Sequence, residues 1–142
     1  MDKTTEELLE MMKNANTYAD YMAKTSDSIL ENTIKPSDAI TALLSDKKMK
    51  KADVIAKSTI EQHYAYQLFS GDKTPSRDKM IMFCFGFDLS LEETQNLLKT
   101  TGYSQLYGKN LRDNAIIFAL VKKLDLWHTN EILNELGLDC LE

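Results

Sequence analysis

The chain is poor in the residues on which most catalytic, metal and nucleotide chemistry depends: its 142 residues include two cysteines, two histidines, one tryptophan, two prolines and five glycines. Cys84 and Cys140 lie far apart with no metal-ligand spacing, and Cys84 falls inside the apolar run MIMFCFGF, where a small core residue is expected. Neither His63 nor His128 has a carboxylate at an obvious spacing, and no segment brings together a base, a nucleophile and a stabiliser of charge. No catalytic residue, metal ligand or cofactor is therefore expected, and the chain does not read as an enzyme. The glycines are scattered at expected helix ends and match neither glycine-rich nucleotide motif. There is no run of about 18 apolar residues and no basic-then-apolar leader, so neither a membrane span nor a signal peptide is expected. The expected compartment is the cytoplasm, with both thiols reduced. Strand alternation and internal repeats are also missing, which points to an all-α fold.

What is present is a hydrophobic content of 43%, enough for one compact domain with a core and an extension at one end. The net charge of −5 disfavours nucleic acid at first sight, but the charge is unevenly placed. Between Lys47 and Lys79 stand eight basic residues (Lys47, Lys48, Lys50, Lys51, Lys57, Lys73, Arg77, Lys79) and four acidic ones (Asp53, Glu61, Asp72, Asp78). That stretch carries +4, so the remainder carries −9.

The same stretch contains MKKADVIAKSTIEQHYAYQLFSGDKTPS, residues 49–76, which reads as two short helices around a polar turn, the second closing at Ser70-Gly71. At 100° per residue Ile60, Tyr64, Ala65 and Leu68 share one side of the second helix, while Gln62, His63 and Tyr66 fall on the other. Thr59 is expected to N-cap this helix.

These residues resemble the lambda-repressor-like (XRE, Cro/C1-type) helix-turn-helix regulators of bacteria and phages. The resemblance rests on Met49, the pair Val54 and Ile55, the apolar opening at Ile60, Leu68, the Ser70-Gly71 exit, Lys73, Pro75-Ser76, and FGFDLSLEETQNLL, which looks like the family's final core helix. It covers about residues 38 to 98. The turn here reads Lys57-Ser58-Thr59, where family members usually carry a glycine. The resemblance implies a five-helix DNA-binding core over 37–102, preceded by an added helix and polar linker over 1–36 and followed by two added helices over 103–142 that pack on the core.

Elsewhere, residues 1–25 are expected to form one helix opened by Thr4 or Thr5, with Leu8, Leu9, Met12, Ala15, Ala19 and Met22 as an apolar stripe that covers its own domain or meets a second copy. Residues 26–37 read as a polar hinge with room for a turn of helix around Ile29 and Leu30. Ser37 is expected to cap a helix from Asp38 to Lys47, and Ser76 a strongly apolar one from Arg77 to Phe87. Ser90 and Glu93 signal a capping box for a helix ending at Gly102. Two further helices are expected at 111–124, with Ile116, Ile117, Leu120 and Val121 inward, and at 129–136, after a loop holding Leu126 and Trp127.

For function the resemblance implies sequence-specific binding of double-stranded DNA by a homodimer, as a transcriptional regulator with the second motif helix, about Thr59–Phe69, in the major groove. Gln62 and Gln67 are candidate readers of base edges, since Gln can pair bidentately with adenine; His63 and Tyr66 suit bases or backbone. Lys50 and Lys51 would stand over one phosphate strand, with Lys73, Arg77 and Lys79 beyond the other side of the groove. Phe69 is expected to pack inward. The acidic total, Glu61, and the aromatic Tyr64, Tyr66 and Phe69 leave a second reading open: an adaptor or antitoxin-like inhibitor that binds a protein partner encoded nearby and has no use for DNA.

Overall fold

A computed structural model describes residues 4–19 and 33–142. The chain divides into two compact units, Met1–Thr33 and Ile34–Glu142.

In the first unit, helix α1 spans Thr5–Asn14, and the Thr4 hydroxyl accepts the Glu7 N–H at 3.1 Å. The helix expected to run to residue 25 does not do so unbroken: Ala15 is extended, at φ −82° and ψ 140°. Asn14, Asn16 and Thr17 are weak helix formers whose side chains compete for backbone groups, which accounts for the break. Met22, Ile29, Leu30 and the expected hinge as far as residue 32 lie outside the described residues.

The second unit holds α2 (Pro36–Asp46), α3 (Lys51–Ser58), α4 (Gln62–Ser70), α5 (Arg77–Gly86), α6 (Leu91–Thr100), α7 (Leu111–Val121) and α8 (Leu126–Glu135). The described residues are thus all-helical, with no strand. Local chemistry accounts for most of the boundaries. Pro36 opens α2 at a position where its missing N–H costs nothing, so Ser37 falls inside the first turn and is not the cap. Ser76 caps α5 through the Lys79 N–H, and Ser90 with Glu93 completes the capping box of α6. Asp125, not Thr129, caps α8, which places Leu126 and Trp127 in its first turn and not in a loop. Helix α7 stops at Val121 because Lys123 turns left-handed (φ 59°) and the Leu124 N–H reaches back to the Ala119 carbonyl at 2.9 Å.

Helix α5 is buried at every residue from Met80 to Gly86 and carries the centre of the core. Phe83 meets Phe69 of α4 edge to face, with ring centroids 5.3 Å apart. A side chain at Gly86 would put its Cβ 2.7 Å from the Val54 carbonyl, so only glycine lets α3 lie this close to α5. Cys84 is fully buried there, and burial pushes its thiol up to about 12, where it is inert. The same apolar cluster continues through Ile116, Leu120, Leu126, Leu133 and Leu141, so residues 103–142 pack onto the rest of the unit. Val121 does not follow its helix inward; it is 58% exposed.

Two identical Arg-Asp dipeptides fasten α7 to the start of α5. Arg77 binds both oxygens of Asp113 (3.1 and 2.9 Å), and Arg112 binds both oxygens of Asp78 (2.9 and 2.8 Å), so each dipeptide supplies one cation and one anion to the other. Burial pushes the Asp113 carboxyl up, but the Arg77 guanidinium and the Tyr107 N–H outweigh it and hold the group below the usual carboxylate range. A depressed folded value means stability that is present above the unfolded value near 4 and is lost as pH falls below it. Urea unfolding between pH 7 and pH 3 is expected to show a flat plateau and then a decline below about pH 4. Asp113→Asn should start less stable and decline less steeply; an unchanged acid slope in that variant would exclude Asp113 as a contributor.

Candidate functional site

Helices α3 and α4 are joined by Thr59, Ile60 and Glu61. Ser58 is buried, donating its hydroxyl to the Ile55 carbonyl at 2.8 Å. Thr59 then takes a left-handed conformation, φ 58° and ψ 10°, and Ile60 buries its side chain. The cap of α4 is therefore Glu61 and not Thr59: its two carboxylate oxygens accept the N–H groups of His63 (2.9 Å) and Tyr64 (2.8 Å). Those two bonds, Tyr64's the stronger, hold the Glu61 carboxyl below its ordinary range.

Along α4 the burial follows the helical period. Ala65, Leu68 and Phe69 are buried and Tyr64 is half-buried, while Gln62, His63 and Tyr66 are exposed and Gln67 sits at the margin. Tyr66 is 42% exposed, and Phe69 packs inward as expected. An open groove of about 340 Å³ runs beside this face, bordered by Ile55, Thr59, Ile60, Gln62 and Tyr66.

The cations of the stretch separate into two groups. Lys47 pairs with Glu93, Lys57 with Asp88 at 2.8 Å, and Arg77 with Asp113. Lys48, Lys50, Lys51, Lys73 and Lys79 have no carboxylate within ion-pair distance among the described residues. Lys51 lies over the rings of Phe69 (5.2 Å) and Tyr66 (5.8 Å), and Lys79 lies over Tyr64 at 5.8 Å. At 100° per residue Tyr66 lies within the exposed stripe, with Phe69 at one edge of it and Tyr64 beyond the other. Cation–π contact thus holds Lys51 at the edge of the exposed stripe marked by Phe69, and Lys79 beyond the opposite edge, over Tyr64.

Arg77 does not join them. Besides Asp113, its guanidinium donates to the carbonyls of Ser104 and Gln105 at 2.9 and 3.1 Å, so its donors are directed into the fold. Of the phosphate candidates, Lys50, Lys51, Lys73 and Lys79 keep a charge that no carboxylate among the described residues neutralises.

His128, read from sequence as lacking a carboxylate, has one: Asp125 Oδ1 lies 2.7 Å from its Nδ1 and also accepts its backbone N–H. The cap of α8 brings the pair together, and both side chains are exposed. Among the described residues no group of three His, Cys, Asp or Glu side chains could hold a metal ion, and no helix is long and apolar enough to cross a membrane. Comparison with protein-family models, curated proteins and solved structures gives no match.

Proposed function

We propose that the second unit is a helix-turn-helix, lambda-repressor-like module that binds double-stranded DNA in a sequence-dependent way as a dimeric transcriptional regulator, with α4 in the major groove. The observation that carries this reading is the sorting of charge: three cations of the basic stretch are tied to carboxylates, while the lysines beside α4 are not, and two of them flank its exposed polar face. A duplex offers that arrangement, with a phosphate strand on either side of a groove and base edges between them. Thr59 supports it as well, since its left-handed backbone is the one for which a glycine at the turn is usually chosen. Glu61 is accounted for as the cap of α4, which removes one reason for preferring a protein partner. Gln62, His63 and Tyr66 are the side chains proposed to meet bases, with Gln67 at the edge of the set.

The test is fluorescence anisotropy on duplexes of the protein's own upstream region and on a scrambled duplex. The double variant Gln62→Ala/Tyr66→Ala should stay folded and lose most of the preference for the cognate duplex, a loss of roughly 10- to 100-fold, because one good bidentate contact carries about 1–3 kcal/mol of discrimination. It should keep its affinity for the scrambled duplex. Absence of any salt-sensitive binding by the unaltered protein would end the DNA reading and favour the adaptor or antitoxin-like role.

A further inference from the structure

A second concavity, of about 410 Å³, lies where α3, α5 and α7 all end and α8 begins. Its floor is apolar, formed by Phe85, Leu89, Leu120, Leu124 and Leu126, and its lip carries Trp127, which is 66% exposed and forms a T-shaped pair with the His128 ring, centroids 5.0 Å apart. Three of its lining residues, Thr59, Asp88 and Lys123, are non-glycine residues with positive φ, each terminating one of the three helices. Such terminations are the means by which helices stop abruptly, so the concavity is formed by three stops meeting at one place.

We infer that this cleft binds a small organic cation with an apolar body, such as an aryl- or alkylammonium compound. The sign of the charge follows from weighing the lining. Formal charges cancel: Lys57 is paired with Asp88 at 2.8 Å, and Lys123 is balanced by Asp125. Three helix C-termini remain, each equivalent to about −0.5 charge, against the single N-terminus of α8 at about +0.5. The residual field is negative, the exposed ring is indole, the aromatic face that attracts cations best, and the floor accepts an apolar group. The size suits a ligand of small-molecule dimensions. Such a site would stand whether or not α4 binds DNA.

Trp127 is the chain's one tryptophan, so its emission reports on this cleft directly. The full chain is titrated with benzyltrimethylammonium, benzyl alcohol and phenylacetate, three probes of similar bulk that differ in charge. The cation should give a saturable change with an affinity roughly 3- to 10-fold above that of the alcohol, as a cation–π contact implies, and phenylacetate should bind no better than the alcohol. Lys123→Asn removes the lining charge with a residue that tolerates the left-handed backbone, and it should tighten the cation severalfold. Ala56→Leu, at an exposed position in the wall, should abolish the response while circular dichroism stays unchanged. The site is overturned if no probe saturates or if Ala56→Leu leaves the titration intact. Its charge assignment is overturned if phenylacetate binds best or Lys123→Asn weakens the cation.

Discussion

Replacing Arg77 by alanine is expected to lower the unfolding midpoint by about 8–15 °C, corresponding to roughly 2–4 kcal/mol. The substitution removes more than one ion pair. Asp113 keeps a side chain only 9% exposed and would retain, of its acceptor contacts, the Tyr107 N–H at 2.9 Å. The carbonyls of Ser104 and Gln105 would be deprived of a donor at the same time. A buried carboxylate stripped of its cation is costly because water cannot reach it to compensate, whereas an exposed one re-solvates. The related variant Arg112→Ala should therefore cost less, since Asp78 is 26% exposed. Arg77→Lys should recover only part of the stability, because an ammonium cannot reproduce the fork that spans both Asp113 oxygens. In a double-mutant cycle, Arg77→Ala/Asp113→Ala should be at least 1 kcal/mol more stable than the sum of the single effects predicts. An additive cycle, or a midpoint within about 2 °C of the unaltered protein, would show that the pair is incidental to the attachment of α7.

These charges also mark the boundary of what the sequence reveals. Features whose cause lies within one turn of chain are legible: the apolar run of α5, the Ser90–Glu93 box, the Ser76 cap and the inward set on α4 all follow from spacing alone. The cap of α4 is less so. Thr59 and Glu61 can both cap, and the choice is made by the burial of Ser58 and Ile60 on either side of Thr59, which is a tertiary event. The Asp125–His128 contact is within reach of the sequence, because an acidic residue three positions before a histidine at a helix start places the two together. The crossed Arg-Asp pairs are not, since Arg77 and Asp113 are 36 residues apart and nothing local distinguishes Arg77 from a basic residue free to meet a phosphate. Counting charge along the chain therefore overstates the positive surface: three of the eight cations have carboxylate partners from outside the stretch.

The four lysines that remain of the phosphate set allow the sharpest separation of located charge from total charge. Replacing Lys50, Lys51, Lys73 and Lys79 together by glutamine should reduce the slope of log affinity against log salt by about 3–4, near 0.9 for each phosphate no longer neutralised. At about 0.1 M salt this weakens binding roughly 10³- to 10⁴-fold on any duplex, cognate or not, because phosphate contacts carry no sequence information. The matched control replaces Lys13, Lys99, Lys109 and Lys122, which changes the net charge by the same amount from outside the stretch. If binding depended on overall charge, the two quadruple variants would weaken equally and their slopes would coincide; if it depends on lysines held beside α4, the control should retain most of the affinity and slope. Stability should be little changed in either variant. The one structural cost is at Lys51 and Lys79, whose contacts with the exposed Tyr66 ring and the half-buried Tyr64 ring are worth about 0.5–1 kcal/mol each. Equal weakening of the two variants would remove the charge-sorting observation on which the DNA reading stands, and the exposed face of α4 would then have to be explained by a protein partner.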